Sequence, residues 1–433
     1  QTCALPISLL DPGFPLAVIS IWMFRLFIFS VYLIISLQQT LFGSEWITHG
    51  FLSKGYMNSS AHNYLAESNG GTYQFTEYGI NFMRQVNKDL RVGAQLFGRD
   101  LGDIGNSRLN LDWMYADLRL SGSLRLRVGK MFTPMGFHSE GRDIDLLRST
   151  VLLPQSVYFD TFRDNFAFNG VVLQGDQPLL EGLLDFKLFR GGFNMADDAP
   201  GMQDLSRFFG PFFLQATQAQ MTQAGVPQAF QPNRYSSQNL WGKPTEIQGF
   251  RFVWSSANQD WRMGYSEFSA GSEINGEILL SPGAIRLPFS APLRINKFSI
   301  LSAEYNWNRF KATFERLDNK MNLAGNSLIM EGYYHQLEYR LDETKELSFS
   351  YSQFYPFVEK GKGSGWAPPG FPDHRSYQTD RGLSLRVDLN NHAVLKLEYH
   401  WMNGTAQLRE VLNPIWQDQR NWEMFLIKTT IKF

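Results

Sequence analysis

The sequence predicts an all-β chain whose strands close into one transmembrane antiparallel barrel of about sixteen strands. Three observations predict it. From Trp46 onward the 433-residue chain falls into short segments in which apolar and polar side chains alternate. Short turns rich in Asn, Asp, Gly and Ser alternate with long connections along the whole of that stretch. Aromatics make up 15% and charged residues 19% while mean hydropathy is −0.26, an average that a bundle of apolar membrane helices does not give.

Taken in order, residues 1–22 read as an upstream segment, with 1–8 resembling a translated sequencing adapter joined to a gene fragment. Met23 is the candidate start. Arg25 and the apolar run Leu26 to Leu37 predict a signal peptide over 23–43 and a barrel over 44–433. A membrane-anchor helix over Phe14 to Leu37 is the competing reading, and Arg25 interrupts it. The one cysteine, Cys3, leaves no partner for an intrachain disulfide.

Strands are predicted at 46–57, 73–84, 89–99, 109–120, 123–131, 165–175, 181–191, 245–256, 259–270, 296–307, 309–319, 328–340, 345–356, 377–388, 391–402 and 422–433. Their two faces separate cleanly. Leu124, Leu126 and Val128 oppose Arg125 and Arg127; Phe250, Phe252 and Trp254 oppose Gly249, Arg251 and Ser255; Leu395, Leu397, Tyr399 and Trp401 oppose Lys396, Glu398 and His400. One face suits lipid and the other water. Long connections at 58–72, 100–108, 132–164, 192–244, 271–295, 320–327, 357–376 and 403–421 alternate with turns such as Ser121-Gly122 and Ala257-Asn258. Short periplasmic turns, long extracellular loops and both barrel ends on one side give that rhythm. A sandwich has no reason for it, and the absence of a repeated motif disfavours a propeller.

The last strand, 422–433, places Phe425, Ile427, Thr429, Ile431 and Phe433 on one face and Lys428, Thr430 and Lys432 on the other. It resembles the terminal strand of bacterial outer-membrane barrels. That resemblance implies that Phe433, Ile431, Ile427 and Phe425 form the signal read by the barrel assembly machinery, and that the chain lies in the bacterial outer membrane after export through the periplasm. Val128-Gly129-Lys130-Met131-Phe132-Thr133-Pro134-Met135-Gly136 resembles the phosphate-selective (O/P-type) porins and their porin-like relatives, in which a strand ending in Gly-x-x-x-x-Pro-x-Gly runs into the constriction loop. The Pro-Glu-Phe-Gly-Gly signature of the general trimeric porins is absent. The family's arginine ladder and lysine cluster find no residue-by-residue match.

On that resemblance, 132–164 occupies the place of the constriction loop, with Glu140, Arg142, Asp143, Asp145, Arg148, Asp160, Arg163 and Asp164 as its charges. Opposed carboxylates and guanidinia across a narrow pore orient polar solutes and turn apolar ones away. The plain alternative is a solvated outer loop, against which Leu146, Leu147, Val151, Leu152, Leu153, Val157, Tyr158 and Phe159 argue that it packs on something. Arg91, Arg99, Arg119, Arg125 and Arg127 are the candidate cationic wall, unless each pairs with an inward acid such as Asp117 or Glu77. The glutamine-rich centre of the 192–244 loop fits either a short capping helix or an unstructured segment.

The expected function is passive diffusion of small hydrophilic solutes or ions through a water-filled barrel. The alternative is a plugged or structural barrel that serves surface binding. The expected partners are outer-membrane lipid and lipopolysaccharide, and family resemblance implies a homotrimer. A net charge of −1 gives no bulk argument for nucleic acid or for an anion-specific pore. No cofactor, metal or enzymatic activity is expected: His138, His374 and His400 lack metal-ligand spacing, and His335 has lipid-facing parity while Ser348 and Ser350 face the other way.

Overall fold

The computed structural model describes residues 46–102, 104–194, 213–282, 285–358, 372–409, 412–413 and 419–433. The expectations for the start, the signal peptide, Cys3 and part of the 192–244 loop fall outside them. Sixteen antiparallel strands form one closed barrel, each paired with its neighbours in sequence and the last with the first. They are β1 (Trp46–Ser59), β2 (Thr76–Gln85), β3 (Leu90–Asp100), β4 (Leu109–Ser121), β5 (Leu124–Phe132), β6 (Ala167–Leu179), β7 (Gly182–Asn194), β8 (Arg234–Ser256), β9 (Trp261–Ser281), β10 (Ile285–Trp307), β11 (Phe310–Leu323), β12 (Asn326–Arg340), β13 (Lys345–Tyr355), β14 (Gln378–Asn390), β15 (Ala393–Gly404) and β16 (Asn421–Lys432).

Closure leaves no sheet edge facing lipid, where an unpaired backbone group costs several kcal/mol. The seam is β1 against β16, with Tyr56 opposite Ile427 and Ser53 opposite Thr430. It runs to the last residue: Gly50 N donates to Phe433 O at 2.9 Å and Phe433 N to Gly50 O at 3.0 Å. A Cβ at Gly50 meets the Phe433 ring, so the glycine makes room for the terminal aromatic. Ile431 and Phe433 are exposed on the outer face while Lys428 and Thr430 are buried inside.

The period-2 pattern sets the same division elsewhere. Leu383, Phe349 and Leu337 are exposed on the outside, and Ser384, Ser348 and Glu338 are buried within. Near the short-turn end, outward aromatics pack in a row, with Trp261 to Tyr305 at 4.3 Å and Phe310 to Tyr339 at 4.6 Å between ring centres. A second row nearer the loops includes Tyr333, Tyr351 and His335, whose ring lies 4.8 Å from Phe314. Two such belts mark the lipid interfaces.

Three strands are longer than predicted. β8 and β10 have 23 residues and β9 has 21, so 234–244 and most of 271–295 continue the ladder instead of forming loops. The 320–327 connection likewise shrinks to the turn at Ala324-Gly325. Beyond the barrel rim β10 pairs only with β9, because β11 first meets it at Leu293. Pro288 therefore lies on a free edge, where a missing N–H costs no ladder bond, and Pro292 sits where β11 arrives, its carbonyl accepting from Ala324 N at 3.0 Å. Residues 213–223 are helical, and Phe213 packs on Phe289 of this flap.

Candidate functional site

Residues 133–166 join β5 to β6 and fold into the barrel. Their hydrogen-bond partners lie mainly on β11 to β16, across the barrel from their own roots. The entry turn explains the Pro-x-Gly sequence. Gly136 has φ +50°, and a Cβ there meets the Tyr158 hydroxyl and the Glu315 carboxylate. Without that side chain the backbone reaches the wall: Gly136 N donates to Ser266 Oγ at 3.0 Å and Phe137 N to Glu315 Oε1 at 2.8 Å.

Glu315 is fully buried and also accepts from Tyr158 Oη at 2.6 Å, Tyr334 Oη at 2.7 Å and Ser302 Oγ at 2.6 Å. A buried carboxylate supplied with four donors is a satisfied one. Further along, Ser149 Oγ bonds Glu338 and Val151 N donates to Glu398. Arg386 Nη1 donates to Leu146 O at 2.7 Å, and Ser384 Oγ to Ser149 O at 2.9 Å.

Asp145 is a buried anchor supplied by the loop itself, 2% exposed. Lys396, Lys428 and Arg148 each approach its Oδ1 at 3.1 Å, and Thr430 Oγ1 donates to Oδ2 at 2.7 Å. Burial alone pushes the Asp145 carboxyl up, but Lys396, Lys428 and Arg148 outweigh it and hold the group well below the usual carboxylate range. Lys428 also pairs with Glu77 at 2.5 Å.

A second charged knot ties the loop to β3 and β4. Arg163 spans Asp143 at 2.5 Å and Asp112 at 3.0 Å, with its guanidinium 3.9 Å above the Phe97 ring. Asp160 takes Arg99 at 3.3 Å and Arg142 at 3.5 Å. Most of the apolar loop residues are buried, although Leu147 is exposed. Val151 and Leu152 join Met57, Tyr64, Leu65, Trp422 and Leu426, while Leu153, Val157 and Phe159 join Phe298, Tyr334 and Phe354.

Of the loop charges, then, Arg142, Asp143, Asp145, Arg148, Asp160 and Arg163 are engaged in fixing the loop. Glu140 stands apart, with its side chain 32% exposed. It faces Lys187 at 2.5 Å, Arg251 at 3.7 Å and Arg127 at 3.9 Å. Burial raises its pKa, but Lys187 and Arg251 prevail and set it below the ordinary value. The strand arginines divide similarly. Arg91, Arg125 and Arg127 converge on Asp117 at 3.1, 2.8 and 3.2 Å, Arg99 serves Asp160, and Arg119 is exposed.

Sequence reading missed Lys187, Asp185 and Lys311 on this inner face, and gave Arg262 its polar face without a role. Asp185 pairs with Arg251 at 3.0 Å, Arg262 with Glu304 at 3.5 Å, and Lys311 with Glu338 at 2.5 Å. All share inward parity, and that parity was the signal that could have found them.

The closed sixteen-strand antiparallel barrel with short turns at one end and long loops at the other is of the outer-membrane porin type. Solved structures with this fold include an outer membrane protein of Vibrio cholerae, OmpT folded in vitro, in its trimer form, with a TM-score of 0.53 at 10% identity over 90% of this chain and 99% of that one. A loop L8 deletion mutant of the same OmpT gives 0.51 at 9% identity, covering 90% and 99%. The anion-selective porin from Comamonas acidovorans gives 0.48 at 13% identity, covering 90% and 99%. At such identities the likeness is one of fold. No protein-family model matches the chain, and no curated protein matches its sequence.

Proposed function

We propose that this chain is a bacterial outer-membrane porin, through which small hydrophilic solutes or ions diffuse past loop 132–164. The observation that carries the reading is the division of the loop's charges. Most of them are held dry, while Glu140 pairs with the wall's Lys187 and lies near Arg251 and Arg127 at the loop's half-exposed edge. A fixed loop with one exposed charged edge acts as a filter: the docked side sets the width, and the opposed charges set a transverse field for the solute. In this strip Arg91, Arg125, Arg127, Lys187 and Arg251 outnumber Asp117, Glu140 and Asp185. The excess is cationic, and we infer a mild preference for anions.

A homotrimer in outer-membrane lipid and lipopolysaccharide, delivered by the barrel assembly machinery, completes the proposal. One fold neighbour is described as a trimer form. The plugged, surface-binding barrel stays a second reading because one observation favours it: the 58–72 connection also packs inward, with Tyr64, Leu65 and Ala66 buried against Val151 and Leu152. Swelling of vesicles containing the refolded protein in isotonic solutions of neutral sugars of graded size separates the two. Swelling that falls off steeply with sugar size supports the filter. No swelling from a correctly folded barrel overturns it in favour of the plug.

A further inference from the structure

Nearer the long loops lies a cavity of a different character from the charged strip. Phe159, Phe162 and Phe166 of the loop form one side of it, and Phe298, Met330 and Phe354 stand on the strands around it. Its water-sized free space is about 130 Å³, close to the roughly 150 Å³ of an engineered apolar cavity that stays dry and admits benzene. The size is therefore that of one aromatic ring.

Its polar side chains are Tyr64, Gln155, Thr161, Asn319, Gln407 and Arg409, and both glutamines are committed. Gln155 donates to Leu153 O at 2.8 Å and to Asp160 Oδ2 at 2.7 Å, and Gln407 donates to Gln155 O at 2.6 Å. Arg409, also in the lining, has its own partners within the chain. Asn319 differs. Its side chain lies on the inner face of β11, 4% exposed, and its Oδ1 has no hydrogen-bond partner among the described residues. Most of the remaining lining is aromatic and aliphatic carbon. A ring bearing one hydroxyl satisfies both the acceptor and the apolar walls.

We propose that this cavity is a binding site for small phenols, with the ring among the phenylalanines and the hydroxyl donated to Asn319 Oδ1. The proposal goes beyond passage of hydrophilic solutes. It stands whether or not the barrel conducts, because it is read by binding.

The test is calorimetric titration of phenol, and separately of toluene, into the full refolded chain in detergent micelles. Wild type is compared with Met330→Trp, which fills the cavity, and Asn319→Leu, which removes the acceptor at similar volume. Folding of each variant is verified by heat-modifiable mobility on gels. Should Met330→Trp fail to fold, Ala406→Phe fills the same cavity from another element. The expected result is saturable one-site phenol binding, weakened more than tenfold by filling. One hydrogen bond predicts that phenol binds up to about tenfold tighter than toluene in wild type, a margin lost in Asn319→Leu. Equal heats from wild type and the filled variant, or phenol no tighter than toluene, overturn the proposal.

Discussion

The two sides of the lumen hold the same kinds of side chain and put them to opposite uses. On β14 to β16 the cations Arg386, Lys396 and Lys428 are committed to loop groups, and Lys396 and Lys428 are essentially inaccessible to solvent. On β5 to β8 Arg125, Arg127 and Lys187 keep part of their surface open, with Glu140 beside the last two, while Arg251 is buried and donates to Gly136 O at 3.0 Å. A dry charge pair contributes position, since a partner left alone there is severely penalised. A half-wet pair contributes field, since its members are screened and replaceable by a passing ion. Residue type does not decide which role a charge plays. What decides is whether the loop lies on top of it.

Breaking the dry side has the largest expected effect. Asp145→Asn leaves Lys396 and Lys428 buried around a neutral amide, at a cost of about 3–5 kcal/mol. Urea unfolding in lipid vesicles is expected to show that loss, and single channels are expected to become larger and noisier as the loop detaches. A smaller loss, of about 1–3 kcal/mol, is expected for Gly136→Ala, which strains a positive φ and meets the Tyr158 hydroxyl and the Glu315 carboxylate. Unchanged unfolding midpoints in both variants would show that the loop does not depend on these contacts.

A pH effect sharpens the comparison further. Burial, and then the charge of Lys311, push the His138 imidazole down to about 4 from its ordinary 6.5. The unfolded chain takes up a proton at 6.5 that the folded chain refuses until about 4. This contribution is intact above pH 6.5 and is lost as pH falls toward 4. Unfolding at pH 7.5 and 4.5 is expected to differ more in wild type than in His138→Gln. A smaller effect on stability, about 1–2 kcal/mol, is expected for Arg125→Gln with Lys187→Gln, because Asp117 keeps Arg91 and Arg127 and Glu140 keeps Arg251, although ion preference should change most there.

Much of this fold was legible because a barrel wall writes its geometry into a period of two. The parity of Arg125, Arg127, Arg251, Lys396, Glu398 and Lys428 could be read without knowing what they face. The flap lay inside the predicted connections 192–244 and 271–295, and Pro288 fits a strand there only because that stretch of β10 has no partner on its other side. The sorting of loop charges was not legible at all. Asp145 meets Lys396 and Lys428 across separations of 251 and 283 residues, and nothing local marks it as an anchor or Glu140 as the exposed member.

The central claim is that the partly open cations Arg125, Arg127 and Lys187 of β5 and β7, and not the buried charges, set the pore's preference. Reversal potential across a planar bilayer under a potassium chloride gradient tests it, with wild type beside the Arg125→Gln and Lys187→Gln double variant and Asp145→Asn. We expect chloride preference in wild type, most of it lost in the double variant, and an unchanged sign in Asp145→Asn despite its larger conductance. A cation-preferring wild type, or a double variant indistinguishable from it, would contradict the account.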